Sequence, residues 1–429
     1  MLDFLLVPAL PRAARPLALG IVIGFSLSVS SSAVFRYFQR RRQRIAQELA
    51  QSHISELQSR PIELRSDDVL DGIVGVIGNT PLIRIPSLSN ALKVDILAKA
   101  EVGPSSHPPV IDDAERQGHL HPRTGSRIFE GTSGSTGISL AMVARARGYD
   151  ATIITPDDMA SEKLHALLAL GADVEQMRPA SIVDKKQNIA KQRALDFSSA
   201  ADHSATALED SIAELTATKA RGFFADQFEN MSNYEAHFEG TGPELWRQTN
   251  GNIRAFVSGA GTGGTIAGVG RFLKSNNEDI VICLADPEGS GLYNKVKHGV
   301  MFDHREREGT KRRHQVDTIV EGIGINRLTN NIDLALPLID DAFRVTDPEA
   351  VAMARYLVKY DGLFVGSSSA CNLVACIRLV KKMGWHNGER IATVLLTASG
   401  RNDEYLRNAE IPIDVSLIED MLASKPGTG

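Results

Sequence analysis

Cysteine is scarce in this chain: its 429 residues include only Cys283, Cys371 and Cys376. They lack the paired spacing of a zinc site and the even, dense pattern of a disulfide framework, which excludes both and fits a reducing compartment. Each reads as a small core residue. A basic stripe is missing too. Beyond residue 65 the only basic run is Lys311-Arg312-Arg313, which reads as an exposed loop, and the net charge is −5, so nucleic acid is not an expected partner. No internal repeat or low-complexity tract appears in the globular part.

The first 45 residues differ in kind from the rest. Residues 17–35 carry no charge, with Arg12 and Arg15 before them and Arg36, Arg40, Arg41, Arg42 and Arg44 after. Such a stretch is just long enough to cross a bilayer core as a helix. A cleaved secretory signal and a mitochondrial presequence are the competing readings. The first would be shorter and the second amphipathic, whereas the stronger basic cluster here follows the apolar run. The expectation is a single-pass anchor with the bulk of the protein left in the cytosol, of a kind suited to the mitochondrial outer membrane. Residues 46–65 read as a linker, 66–415 as the catalytic fold with a smaller lobe at about 100–220, and 416–429 as a tail.

From Asp71 onward, strand-like and helix-like segments alternate. Strands are predicted at Val94–Ala98, Ile128–Phe129, Ala151–Ile154, Ala255–Val257, Ile280–Leu284 and Ile391–Leu396. Helices are predicted at Thr136–Arg147, Ser161–Leu170 and Ser181–Leu195. This rhythm predicts an α/β fold with mostly parallel sheets.

Two glycine-rich loops stand between a predicted strand and a predicted helix. In Gly261-Thr262-Gly263-Gly264-Thr265 there is almost no side chain, so backbone N–H groups can converge on an anion at a helix N-terminus, with Thr262 and Thr265 as hydroxyl donors. A plain tight turn is the alternative. The loop lacks the Gly-Lys-Ser/Thr of a Walker loop and fits the dinucleotide fingerprint poorly. In Glu130-Gly131-Thr132-Ser133-Gly134-Ser135-Thr136-Gly137, hydroxyls and N–H groups again face one point. That loop suits a carboxylate or, more simply, a capped helix start.

Together with their neighbours these stretches resemble the pyridoxal-phosphate enzymes of the cysteine synthase and cystathionine β-synthase group. The resemblance runs in order through Ile77-Gly78-Asn79-Thr80-Pro81-Leu82, the Thr132–Gly137 loop, Met159-Ala160-Ser161-Glu162-Lys163 and Leu170-Gly171-Ala172. It continues through Asp226-Gln227-Phe228 with Asn230 and Asn233, Thr241-Gly242-Pro243-Glu244, Gly261–Thr265 and Glu321-Gly322-Ile323-Gly324. It spans about Asp71 to Tyr405. It implies fold type II: two lobes, each a mostly parallel sheet flanked by helices, with pyridoxal phosphate in the cleft as electron sink. It also implies replacement of the β-acetoxy group of O-acetylserine by sulfide, giving cysteine and acetate. Homocysteine as the incoming thiol is the cystathionine β-synthase alternative, and a non-catalytic scaffold of the same fold is a third. A homodimer is expected. By position, Gly261, Thr262, Gly263, Gly264 and Thr265 would hold the phosphate and Ser135 would face the phenolic oxygen. Ser368 would face the pyridine nitrogen, where a helix N-cap is the simpler reading. Thr132, Ser133, Thr136 and Gln227 would hold the substrate carboxylate.

The chain departs from that pattern at one decisive place. The family's Schiff-base lysine should follow a strand ending in Lys-x-Glu. Here Lys99-Ala100-Glu101 is followed by a shortened Val102–Asp112 segment with no lysine, so no catalytic residue is assigned, and Lys99 is expected to be structural. Either the lysine was lost from a protein that keeps the fold, or an exon boundary is drawn short; the abruptness of the gap favours the second. Lesser departures are Ser135 in place of an asparagine, Thr397–Gly400 in place of Asp-Ser-Gly, and an insertion at Asn402–Glu404. Lys295–Gly299 falls where a variable loop is expected.

Overall fold

The computed structural model describes residues 69–70, 72–101, 108–132, 134–157, 159, 161–177, 183–204, 220–303, 318–396 and 415–424. The expected anchor at 17–35, the 102–107 connection, Ser133 and the segment from Thr397 to Glu404 lie outside them. Among the described residues no helix is long and apolar enough to cross a membrane.

Two sheets organise the chain. The larger has six strands in the order β1–β2–β10–β7–β8–β9, with β1 (Leu82–Arg84) antiparallel to β2 (Asp95–Ala100) and every other pair parallel. Its remaining strands are β7 (Ala255–Gly259), β8 (Val281–Pro287), β9 (Asp341–Val345) and β10 (Arg390–Leu395). The smaller, wholly parallel sheet has the order β5–β4–β3–β6 and is built from β3 (Arg127–Gly131), β4 (Asp150–Pro156), β5 (Asp173–Met177) and β6 (Gly222–Phe224).

Helices cover the sheets because parallel strands need crossovers, and both faces are then buried. The smaller sheet is flanked by α2 (Pro108–Arg116), α3 (Ser135–Arg147), α4 (Ser161–Ala169) and α5 (Val183–Ser204), which follow α1 (Pro86–Leu92) in the chain. Between β6 and β7 lie α6 (Met231–Ala236), a π-helical turn at His237–Thr241, and α7 (Gly242–Gln248). The larger sheet carries α8 (Gly264–Asn276), α9 (Leu292–His298), α10 (Asn330–Ala335), α11 (Asp347–Asp361), α12 (Ser367–Met383) and α13 (Ser416–Ala423).

The core of the larger lobe joins β2, β7, β8 and β10 to α11 and α12, and all three cysteines are buried. Burial pushes their thiols up, which makes them poor nucleophiles and leaves them as packing groups. Ile418 of α13 is fully buried in the same core, so the stretch expected as a tail contributes a packed helix. Lys295–Gly299 is likewise no loop: it is the end of α9, closed by Gly299 in the left-handed conformation.

Candidate active site

Three of the longer helices begin at the C-terminal ends of parallel strands with no side-chain cap. These are α3 after β3, α8 after β7, and α12, whose start lies beside the end of β10. Side-chain caps do occur in this protein: Thr346 and Glu349 form a full capping box on α11, Thr329 caps α10 and Asn230 caps α6, whereas the short helices α1, α7, α9 and α13 also begin without one. Neither serine-threonine stretch supplies a side-chain cap to its own helix, which answers the simpler reading of both. In the first turns Gly264 N reaches Thr262 Oγ1 at 3.5 Å, Gly137 N the Gly134 carbonyl at 3.3 Å and Ser369 N the Gly366 carbonyl at 3.0 Å. The N–H groups ahead of them are left for an acceptor in the crevice where parallel α/β sheets receive ligands.

The Gly261–Thr265 loop is held from every side. Gly263 sits at φ 95°, a conformation that requires glycine, and is the N-cap of α8. A Cβ at Gly261 would stand 2.2 Å from the Gly322 carbonyl oxygen, and one at Gly264 would stand 2.3 Å from Asn233 Oδ1. The late glycine turn thus lies directly on the loop, and Gly324 N donates to the Ala260 carbonyl at 2.8 Å. Asn233 Nδ2 donates to Thr262 Oγ1 at 2.9 Å, and Thr329 Oγ1 donates to the Thr262 carbonyl at 3.0 Å. Thr265 Oγ1 meets His237 Nε2 at 3.0 Å, while His237 Nδ1 meets Thr241 Oγ1 at 3.0 Å. Burial pushes the His237 pKa down to about 4, so the ring is neutral and donates to one threonine while accepting from the other.

At the start of α12, Ser367 Oγ accepts from Glu321 N and Ser369 Oγ accepts from Leu396 N. Ser368, between them, is buried at 5% exposure, and its hydroxyl bonds to no described residue. One turn on, Asn372 accepts from Gly259 N and donates to the Val394 carbonyl, which clamps β7 to β10 beneath the loop.

Of the second loop, Thr132 is buried and its Oγ1 accepts from Gly134 N at 3.2 Å, Ser135 is exposed, and Thr136 is half-buried. Thr136 Oγ1 donates to Gln227 Oε1 at 2.8 Å, and Gln227 Nε2 donates to Glu130 Oε1 at 3.1 Å. The amide of Gln227 is therefore a brace between β3 and the start of α3. Glu130 is fully buried and also accepts from Gln187 Nε2 at 2.7 Å; burial pushes its pKa up to about 7.

Sequence reasoning left His237, Gln187 and Asn372 unassigned, along with any role for Glu130. Their signals are weak because each is a single polar residue in an unremarkable helix or strand, and only the fold brings it under a loop. Lys99 is where its sequence position suggested. It is fully buried on β2, ion-paired with Glu244, and donates to the Thr80 carbonyl at 2.6 Å and to Gln248 Oε1 at 3.1 Å.

A two-lobed α/β fold with two N–H-lined loops at the strand ends is that of a fold type II cleft enzyme. The chain belongs to the family of pyridoxal-phosphate dependent enzymes, whose model matches residues 73–397. It is 49% identical over 410 residues to cysteine synthase 2 of Schizosaccharomyces pombe, covering 92% of this chain and 95% of that one. A Saccharomyces cerevisiae relative, provisionally named a mitochondrial cysteine synthase, is 46% identical over 359 residues, covering 81% of this chain and 87% of its own length. Among solved structures, an O-acetylserine dependent cystathionine β-synthase of Helicobacter pylori matches at TM-score 0.62 and 25% identity, covering 78% of this chain and 97% of that one.

The residues present fit the family's cofactor at two of its ends. The Gly261–Thr265 loop has the N–H groups for a phosphate dianion and no room for side chains, and Ser368, a buried residue, offers a hydroxyl that bonds to no described residue. At the aldehyde end the sequence offers no lysine between Lys99 and Lys163.

Proposed function

We propose that this protein is a cysteine synthase-type transferase that uses O-acetylserine and sulfide. The observation that carries the reading is the pair of uncapped helix N-termini, α8 and α3, each preceded by a loop of glycine and hydroxyl residues. Pyridoxal phosphate, when bound, supplies the electron sink for chemistry at the α-carbon of an amino acid. Gly261, Thr262, Gly263, Gly264 and Thr265 hold its phosphate, with His237 fixing the Thr265 hydroxyl. Ser368 would face the pyridine nitrogen with a neutral hydroxyl, which would leave that nitrogen unprotonated. Ser135 serves the phenolic oxygen.

Thr132, Ser133 and Thr136 receive the substrate carboxylate at the α3 N-terminus, where partial positive charge favours an anion. Gln227 and Glu130 hold that loop in register. The smaller lobe is residues of about 100–220, and a second copy of the chain completes a homodimer. In this reading the uncharged 17–35 stretch is a membrane anchor at the mitochondrial outer membrane with the rest of the chain facing the cytosol; the name of the Saccharomyces cerevisiae relative supports the mitochondrial part of it.

The test is cysteine formation from O-acetylserine and sulfide by the purified full chain, with and without added pyridoxal phosphate. The reading expects cofactor-dependent product, slower than the Schizosaccharomyces pombe relative by the roughly 10²–10⁴-fold that a positioned proton-transfer group contributes. Product from homocysteine but not sulfide would move the assignment to cystathionine formation. No cofactor-dependent product from either thiol would leave a scaffold. A tagged chain that keeps its membrane without residues 1–45 would defeat the anchor.

A further inference from the structure

We propose that this chain holds its phosphopyridine cofactor by the phosphate and the ring alone, with no covalent bond to a lysine. It therefore takes up the aldehyde and amine forms of the phosphorylated pyridine alike. The inference rests on the cofactor reading above and goes beyond it. An aldehyde cofactor becomes tethered only where a free amine stands at its reactive carbon.

No lysine lies between Lys99 and Lys163, so β3, α2, α3 and the Thr132–Gly137 loop contain none, and neither does the connection from β2 to α2. Lys99 cannot serve. Its amine is fully buried and engaged by Glu244, the Thr80 carbonyl and Gln248, which matches its three protons with three acceptors. Lys163 of α4 is tied to the Glu321 carboxylate, whose own N–H is fixed by Ser367. That ion pair points the amine at the late glycine turn and occupies it there. The phosphate loop and Ser368 are intact, since neither depends on any lysine. What this leaves is a site with anchors at two ends of the ligand and neither Lys99 nor Lys163 free to bond at the third, indifferent to what the ligand carries at that carbon.

The experiment uses the full chain. It is equilibrated with pyridoxal 5′-phosphate, reduced with borohydride and weighed intact. In parallel, affinities are measured for pyridoxal 5′-phosphate, pyridoxamine 5′-phosphate, unphosphorylated pyridoxal and inorganic phosphate. The expected results are an unchanged protein mass, affinities for the two phosphorylated pyridines within about threefold, and pyridoxal weaker by about 100-fold or more because the charge-assisted phosphate bonds are gone. Ser368→Ala weakens both phosphorylated pyridines while leaving inorganic phosphate unchanged, a split that a misfolded variant would not give. A stoichiometric reduced adduct on one lysine, Lys163 or Lys99 included, overturns the inference and leaves the cofactor reading standing. Failure of both phosphorylated pyridines to bind overturns the two together.

Discussion

Replacing Lys99 with methionine separates a structural lysine from a catalytic one. The side chain is fully buried, and its ion partner Glu244 is nearly so. Removing one member of such a pair costs about 3–5 kcal/mol, because the survivor is left charged in a poorly solvating environment. The lower end applies here, because Glu244 keeps the Asn79 N–H at 2.6 Å and the Thr80 N–H at 3.2 Å. Gln248 Nε2 still serves the Thr80 carbonyl at 2.8 Å. With an unfolding entropy of about 2.1 cal/mol/K per residue over the compact unit Ile62–Gly429, about 3 kcal/mol lowers the melting temperature by about 4 °C. Calorimetry measures this, and equilibrium binding of pyridoxal 5′-phosphate is measured on the same variant. The expected result is a less stable protein with unchanged affinity for the cofactor. The double variant Lys99→Met, Glu244→Leu should recover most of the loss, since apolar replacement of a whole buried pair is often neutral. Unchanged stability with lost cofactor binding would refute the structural assignment of Lys99.

Three further outcomes follow from the same geometry. Gly261→Ala sets a methyl 2.2 Å from the Gly322 carbonyl, backbone against backbone, and should cost about 1–3 kcal/mol of stability and most of the phosphate affinity, as read by denaturant titration and phosphate binding. His237 is held at about pKa 4 in the folded chain against 6.5 unfolded, so the unfolded chain binds the extra proton first. Stability from this group is complete above pH 6.5 and falls by about 3 kcal/mol as pH drops through 4, a slope that His237→Gln should remove. Glu130 runs the other way, with its pKa raised from 4.5 to about 7. Its contribution is full below 4.5 and falls by about 3 kcal/mol as pH rises through 7, and Glu130→Gln should flatten that limb in pH-dependent unfolding.

The six strands legible in the sequence are the six interior ones: β2, β10, β7 and β8 in the larger sheet, and β3 and β4 in the smaller. Buried on both faces, they read as apolar runs such as Ala255-Phe256-Val257. The four that escaped, β1, β9, β5 and β6, are the edges. Asp173-Val174-Glu175-Gln176-Met177 alternates with charge because an edge strand faces water and resists further pairing, and β6 has only three residues. The site shows the same division. Its loops were legible because glycine with hydroxyl residues between strand and helix is a local pattern. The braces beneath them were not. Gln187 lies 57 residues from Glu130 and His237 lies 28 from Thr265, so neither contact leaves a spacing to read. The helix at Ser416–Ala423 escaped for a third reason: it is short, and only the packing of Ile418 marks it as part of the fold.

The most direct test of the central claim is a crystal structure of the full chain grown with pyridoxal 5′-phosphate. The account predicts the phosphate on the N–H groups of Gly261–Thr265 and the pyridine nitrogen at Ser368, with no continuous density from the ring to a lysine. A phosphate bound elsewhere, or an empty loop at saturating cofactor, would contradict it.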